Sequence, residues 1–129
     1  MIPEELKYNA THEWVGLTEE DGQPLAVIGI SGFALEQLTD LVYMELPSVG
    51  DPVSQGQQFG EVESVKAVSP LYSPVSGTVI AVNHDATSHL DTLGDDPYGN
   101  GWLIKVRMES NADLENLLDY PAYLIQCAS

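Results

Sequence analysis

Few side chains in this 129-residue chain are placed to do chemistry, and the first of them is Lys66. Phe59-Gly60-Glu61-Val62-Glu63-Ser64-Val65 and Ala67-Val68-Ser69-Pro70-Leu71-Tyr72 are short extended runs in which β-branched and polar residues interleave. Pro74 ends the second run. Lys66 lies between the two, where a strand has to turn back. It is one of only four cationic side chains, the others being Lys7, Lys105 and Arg107. Position alone leaves two readings open: a solvated surface lysine, as most exposed lysines are, or an amine presented for covalent modification.

The remaining candidates are weaker. Cys127 is the only cysteine, so no intramolecular disulfide can form, which fits a reducing compartment. As a nucleophile it lacks a neighbouring histidine in sequence and sits where a terminus frays. His84 and His89 stand among Asp85, Asp91, Asp95 and Asp96, but their spacing is not that of helical metal ligands and no cysteine supports them. That stretch reads as a polar loop, and no metal site is expected. A phosphate-cradling glycine loop, a G-x-S-x-G elbow and an EF-hand are all missing, and Ser, His and Asp are scattered without a frame. No catalytic residue emerges, so a stand-alone enzyme is disfavoured.

Four basic against twenty acidic residues give a net charge of −16. Such a surface repels phosphate backbones and anionic membranes, favours partners with basic faces and resists self-association, so a monomer is expected. No apolar run approaches a membrane span. Met-Ile-Pro-Glu-Glu-Leu-Lys at the start has neither the basic nor the apolar region of a signal peptide. A soluble cytoplasmic protein of one domain, residues 1–129, is the resulting expectation.

The elements that must position Lys66 are short strands punctuated by turns. Leu6 to Leu17 reads as a first strand region, and Glu20-Asp21-Gly22 as a hairpin turn. Leu25 to Ile30 is a nearly continuous apolar strand, as when both faces are covered. Ser31 is a helix N-cap, and Phe33, Ala34, Leu38 and Leu41 predict about two helical turns. Val42 to Leu46 forms a strand stopped by Pro47, and Gly50-Asp51-Pro52 a turn. Beyond the lysine hairpin, Ser76-Gly77 turns into the strand Thr78 to Val82. Asn83 to Asn100 is the longest irregular region, Trp102 to Met108 a closing strand. Ser110 or Asn111 caps a final helix with Leu114, Leu117 and Leu118 on one face, and Pro121 marks a break or a new helical start. The fold class is therefore mainly β, a sandwich or barrel-like core of antiparallel sheets, with short helices near residues 32–40 and at the C-terminus. Tyr8, Trp14 and Trp102 are read as core residues, and Asp96-Pro97-Tyr98-Gly99 as a turn.

Glu63-Ser64-Val65-Lys66-Ala67, followed by Ser73-Pro74-Val75-Ser76-Gly77-Thr78-Val79, resembles the lipoylation segment of the glycine cleavage system H protein family. The neighbours Val65 and Ala67 differ from the methionines of biotin carrier domains and from the Asp-Lys-Ala of 2-oxoacid dehydrogenase lipoyl domains. Further segments resemble the family in order: Leu6-Lys7-Tyr8, His12-Glu13-Trp14-Val15, Val27 to Ser31, Glu36-Gln37-Leu38 with Asp40, Glu45-Leu46-Pro47 with Val49-Gly50, Asp96 to Gly99, and Gly101 to Lys105. The likeness runs from about residue 6 to residue 124. One departure is Ser69-Pro70, where the family commonly has an acidic residue after the serine; Pro70 removes a backbone donor and any partner contact such a carboxylate makes.

The resemblance implies a barrel-sandwich hybrid of the lipoyl/biotinyl-carrier kind with two antiparallel sheets. It implies lipoate in amide linkage to Lys66, with Glu63, Ser64, Val65 and Ala67 as the recognition segment of the lipoylating enzymes. It implies a non-catalytic shuttle that takes the aminomethyl group of glycine from the P-protein (glycine decarboxylase) to the T-protein (aminomethyltransferase). The dihydrolipoyl group then goes to the L-protein (dihydrolipoamide dehydrogenase). From the match of His12-Glu13-Trp14, Glu13 and its neighbours are expected to line a cleft that shelters the loaded arm, the carboxylate pairing with the arm's ammonium. Alternatives are a relay of lipoyl or octanoyl groups in lipoate assembly, a biotin carrier, and an unmodified interaction module of the same fold.

Overall fold

A computed structural model describes residues 1–128. Its strands are β1 (Lys7–Tyr8), β2 (Glu13–Glu20), β3 (Gln23–Ile30), β4 (Leu41–Glu45), β5 (Pro52–Val53), β6 (Gln58–Ser64), β7 (Val68–Tyr72), β8 (Gly77–Val82) and β9 (Ile104–Met108). Its α-helices are α1 (Gly32–Leu38), α2 (His84–Ser88) and α3 (Tyr120–Cys127), with short 3-10 turns at Pro3–Glu5, Leu90–Asp95 and Asn111–Asn116. The strands form two sheets, one of order β1-β2-β3-β9-β8-β5 and one of order β4-β6-β7. Every pairing between named strands is antiparallel. Both sheets stay open, so the barrel part of the expectation is not realised as a closed cylinder.

Local chemistry explains the hairpins. Glu20 pairs with Gln23 across Asp21-Gly22, and both turn residues have positive φ, 52° and 76°. That is the backbone a two-residue turn needs to follow the strand twist, and Asp-Gly is a favoured pair for it. Ser31 caps α1 as expected, its hydroxyl accepting from the Ala34 amide. Pro70 lies on β7, an edge strand, where a missing N–H costs no internal pairing.

The two faces of the β2–β3 hairpin bury separate clusters, which accounts for the continuous apolar run in β3. Ala26, Ile28 and Ile30 join Val15, Met44, Val62, Leu71, Val79, Ile104 and Val106 in the main core. Val27 turns the other way and packs with Leu6, Tyr8, Trp14 and Tyr123. Tyr8 and Tyr123 stack at 4.3 Å, joining β1 to α3, and Tyr8 bridges Leu118 through the backbone.

The structure departs from the sequence expectations at five places, and one is Leu41, which opens β4 instead of continuing α1 past Leu38. The first strand region is broken at Asn9–His12, where His12 adopts a positive φ of 84°. The stretch 83–100 is not wholly irregular: α2 and a 3-10 turn occupy most of it. Ser110 caps only the 3-10 turn at Asn111–Asn116, because the chain returns to extended backbone at Leu117. The last helix starts instead behind Asp119, whose carboxylate accepts from the Ala122 amide. Trp102 is only partly buried, with the Lys105 ammonium 4.9 Å over its ring.

Candidate functional site

Glu63 pairs with Val68, so the chain between β6 and β7 reverses through Ser64-Val65-Lys66-Ala67. The Ser64 amide donates to the Ala67 carbonyl at 2.8 Å. The Ser64 hydroxyl accepts from the Lys66 and Ala67 amides at 3.3 and 3.2 Å and donates to the Ala67 carbonyl. A second anchor is the Val65 amide, which donates to the Asp40 carbonyl just before β4. The turn is thus held by its own serine and by a neighbouring strand, while Val65, Lys66, Ala67 and Val68 all face solvent. The ammonium of Lys66 has no ion-pair partner among the described residues; the one salt bridge there joins Lys105 to Glu20 at 3.7 Å.

Strand alternation sorts the flanking residues. Met44 and Val62 are opposite one another and point into the core. Tyr43, Glu63 and Val68 form the next row, on the outer face. Glu63 is half-buried there, between two exposed apolar side chains. Gly60 is required by close approach: a Cβ on it would lie 2.3 Å from the Glu45 carbonyl oxygen.

At the root of the hairpin is a cleft of about 140 Å³, with Ile30, Leu38, Val62 and Leu71 as apolar walls and His12, Glu13, Gln37 and Ser69 as polar ones. Glu13 is 1% exposed. Its carboxylate accepts from the Asn9 side-chain amide and the Tyr72 backbone amide, each at 3.2 Å, and from the Thr11 hydroxyl. It therefore ties the start of β2 to the end of β7. Burial pushes its carboxyl above the usual carboxylate range, and the three donors oppose that rise. His12, half-buried beside it, is pushed below the usual histidine range by desolvation.

Sequence reasoning placed Glu63, Ser64, Val65, Lys66 and Ala67 on one turn, and the structure brings those residues together. Glu13 and its neighbour His12 both line the cleft, as expected, but sequence reasoning did not connect Tyr72 with Glu13. That contact joins residues 59 positions apart, and no local pattern signals it. A larger polar hollow of about 540 Å³ is lined by Asn83, Asp85, His89 and Asp96 among others. Among the described residues no group of three or more His, Cys, Asp or Glu side chains could hold a metal ion.

Comparison with known proteins sets this arrangement in context. Residues 6–128 match the family model described as glycine cleavage H-protein. A glycine cleavage system H protein of Rhodopirellula baltica is 57% identical over 127 residues, covering 98% of this chain and 95% of that one. Another, from Rippkaea orientalis, is 50% identical, covering 96% and 92%. The crystal structure of a glycine cleavage system H protein from Mycobacterium marinum superposes with a TM-score of 0.88 at 39% identity, covering 99% of this chain and 100% of that one. A match along nearly the whole sequence and the same fold over its full length lead to one assignment: this chain belongs to the glycine cleavage H-protein family.

Proposed function

We propose that Lys66 is the lipoyl attachment point through which this H-family chain works as the shuttle of the glycine cleavage system. The observation that carries the reading is a lysine exposed at a serine-braced turn, with no partner for its ammonium among the described residues. A modifying enzyme needs a nucleophilic amine that is free and held at a constant place, and this turn supplies both.

The residues present fit a lipoyl group. Ser69 and Pro70 line the cleft and follow Lys66 by three and four positions. At about 3.4 Å per strand residue that is roughly 10–14 Å. A lysine stem extended by an amide and a pentanoyl chain covers such a distance, and Ile30, Leu38, Val62 and Leu71 offer the dithiolane an apolar seat. Bound there, lipoate supplies a disulfide that accepts a one-carbon amine and is later reoxidised, so bond making belongs to the cofactor and the enzymes it visits.

The chain's own contribution is presentation and shelter. β6 and β7 hold the turn rigid while the arm moves. The buried carboxylate of Glu13 offers a counter-charge to an ammonium entering the cleft, and the apolar walls exclude the water that would hydrolyse the cargo. Glu63, Val65 and Ala67 form the surface that a lipoylating enzyme reads, and the buried Ser64 sets its shape. The P-, T- and L-proteins are the partners of the cycle, and a net charge of −16 suits docking on basic faces. On this reading the chain carries and does not catalyse. Among the described residues no helix is long and apolar enough to cross a membrane, and we place the shuttle in the cytoplasm.

Mass spectrometry of natively expressed protein, intact and as peptides spanning Lys66, tests the proposal. A lipoyl adduct on Lys66 that is lost in Lys66→Arg is the expected result. A predominant octanoyl adduct would favour the relay role in lipoate assembly. A bare lysine in lipoylation-competent cells would overturn the carrier reading for this residue.

A further inference from the structure

A hydrogen-bond chain runs behind the cleft wall and ends on a residue of that wall. The Ala34 amide donates to Ser31 Oγ at 3.2 Å, Ser31 Oγ lies 2.6 Å from the Tyr123 hydroxyl, and that hydroxyl lies 2.6 Å from His12 Nδ1. Each hydroxyl has one proton and the Tyr123 oxygen can also accept, so three orders are available. In one of them His12 and Ser31 both donate to Tyr123, whose proton is left to the neighbouring Cys127 sulfur, a weak acceptor. If His12 Nδ1–H donated to Tyr123 and Tyr123 to Ser31, the Ser31 proton would have no acceptor among the described residues, and Ser31 is fully buried. A buried donor without a partner is costly. The remaining order gives every proton a strong acceptor: Ser31 donates to Tyr123, and Tyr123 donates to Nδ1. The imidazole proton is then on Nε2, which has no partner among the described residues, on a ring that lines the cleft. The ring is further held between Phe33 and the edge of Tyr123, at centroid distances of 5.4 and 5.6 Å.

We propose that Tyr123, on the C-terminal helix, is a positioning residue of the cleft: it fixes His12 as the Nε2–H tautomer, so that His12 donates a hydrogen bond to the sulfur-bearing end of the arm while Glu13 faces the cargo's ammonium. This rests on the reading that the cleft shelters a lipoyl arm on Lys66. The low proton affinity that burial gives His12 keeps the ring neutral, as a defined tautomer requires. The two neighbours divide the recognition. An anionic acceptor meets the cation, and a neutral donor meets the lone pairs beside it.

Nitrogen NMR of His12 comes first, in protein without lipoate. The expected spectrum is that of the Nε2–H tautomer in the wild type and a mixture of tautomers in Tyr123→Phe, which keeps the stacking on Tyr8. Lipoylated protein is then loaded with the one-carbon amine by its glycine-decarboxylating partner, and cargo loss is timed after removal of that enzyme. Tyr123→Phe and His12→Asn should each shorten the lifetime by about fivefold, the effect of losing one hydrogen bond. Asparagine tolerates the positive φ at this position. The double variant should lose cargo no faster than His12→Asn, since Tyr123 acts through His12. An Nδ1–H tautomer in the wild type, an unchanged lifetime in Tyr123→Phe, or additive losses would overturn the inference and leave the carrier reading intact. A wild-type cargo no longer-lived than the same adduct on free dihydrolipoamide would overturn the sheltered cleft, and this inference with it.

Discussion

Replacing Gly60 by alanine should damage the hairpin that presents Lys66, and the size of the damage follows from one contact. The new methyl would stand 2.3 Å from the Glu45 carbonyl oxygen and 3.4 Å from its carbon, both backbone atoms. Carbon and oxygen approach to about 3.3 Å in ordinary contacts, so β4 must retreat by about 1 Å. β4 is an edge strand, held to β6 through Leu41, Tyr43, Met44 and Glu45. Crowding costs about 1–3 kcal/mol, and one or two weakened ladder bonds add about 1 kcal/mol each. The total is about 2–5 kcal/mol. Urea unfolding followed by tryptophan fluorescence should show the midpoint falling by about 1–2.5 M with an unchanged slope. Gly94→Ala is the control, since its methyl meets nothing within 4 Å; it should stay within about 0.5 kcal/mol of wild type. A Gly60→Ala protein as stable as that control would refute the steric reasoning.

Ser64→Ala removes the hydroxyl that serves the Lys66 and Ala67 amides. Hydrogen exchange at those two amides should quicken, and in-vitro lipoylation should slow by about fivefold, while global stability changes little; equal lipoylation rates would remove the serine from the presentation of the lysine. Glu13 gives a pH test. Its carboxyl is raised by burial in the folded state, so its contribution to stability is fully present below the unfolded value of about 4.3 and is lost as pH rises through the folded value. Glu13→Gln carries no such proton. Measured by urea unfolding from pH 5 to 8, the wild type should therefore lose stability relative to Glu13→Gln as pH rises, and a difference moving the other way would contradict the assignment.

What the sequence made legible were features encoded by neighbours. Asp21-Gly22 marked a hairpin because the required backbone suits those two residues. Ser31 marked the start of α1 through its own hydroxyl, and the lysine turn stood out between two β-rich runs. The five-residue helix α2 was hidden, because so short a segment shows no apolar period. The C-terminal helix was drawn too early: Ser110 is a genuine cap, but of a 3-10 turn, whereas Asp119 with the following Pro121 was the stronger signal. The cleft was almost illegible. Glu13 was singled out through the family likeness, yet its link to Tyr72 and the joining of His12 to Tyr123 depend on tertiary packing across 59 and 111 positions.

The bridge between Tyr8 and Leu118 bears on how the protein is made. A ribosome delivers Tyr8 110 positions (118 − 8) ahead of Leu118, so β1 waits through that whole stretch before it is flanked on both sides. Contacts so distant in sequence are slow to form. Tyr123, which closes over Tyr8 and reaches His12, emerges later still. The β6–β7 hairpin, by contrast, can pair as soon as Tyr72 has emerged. A growing chain can therefore display its lysine turn well before Tyr123 has emerged to stand behind the cleft.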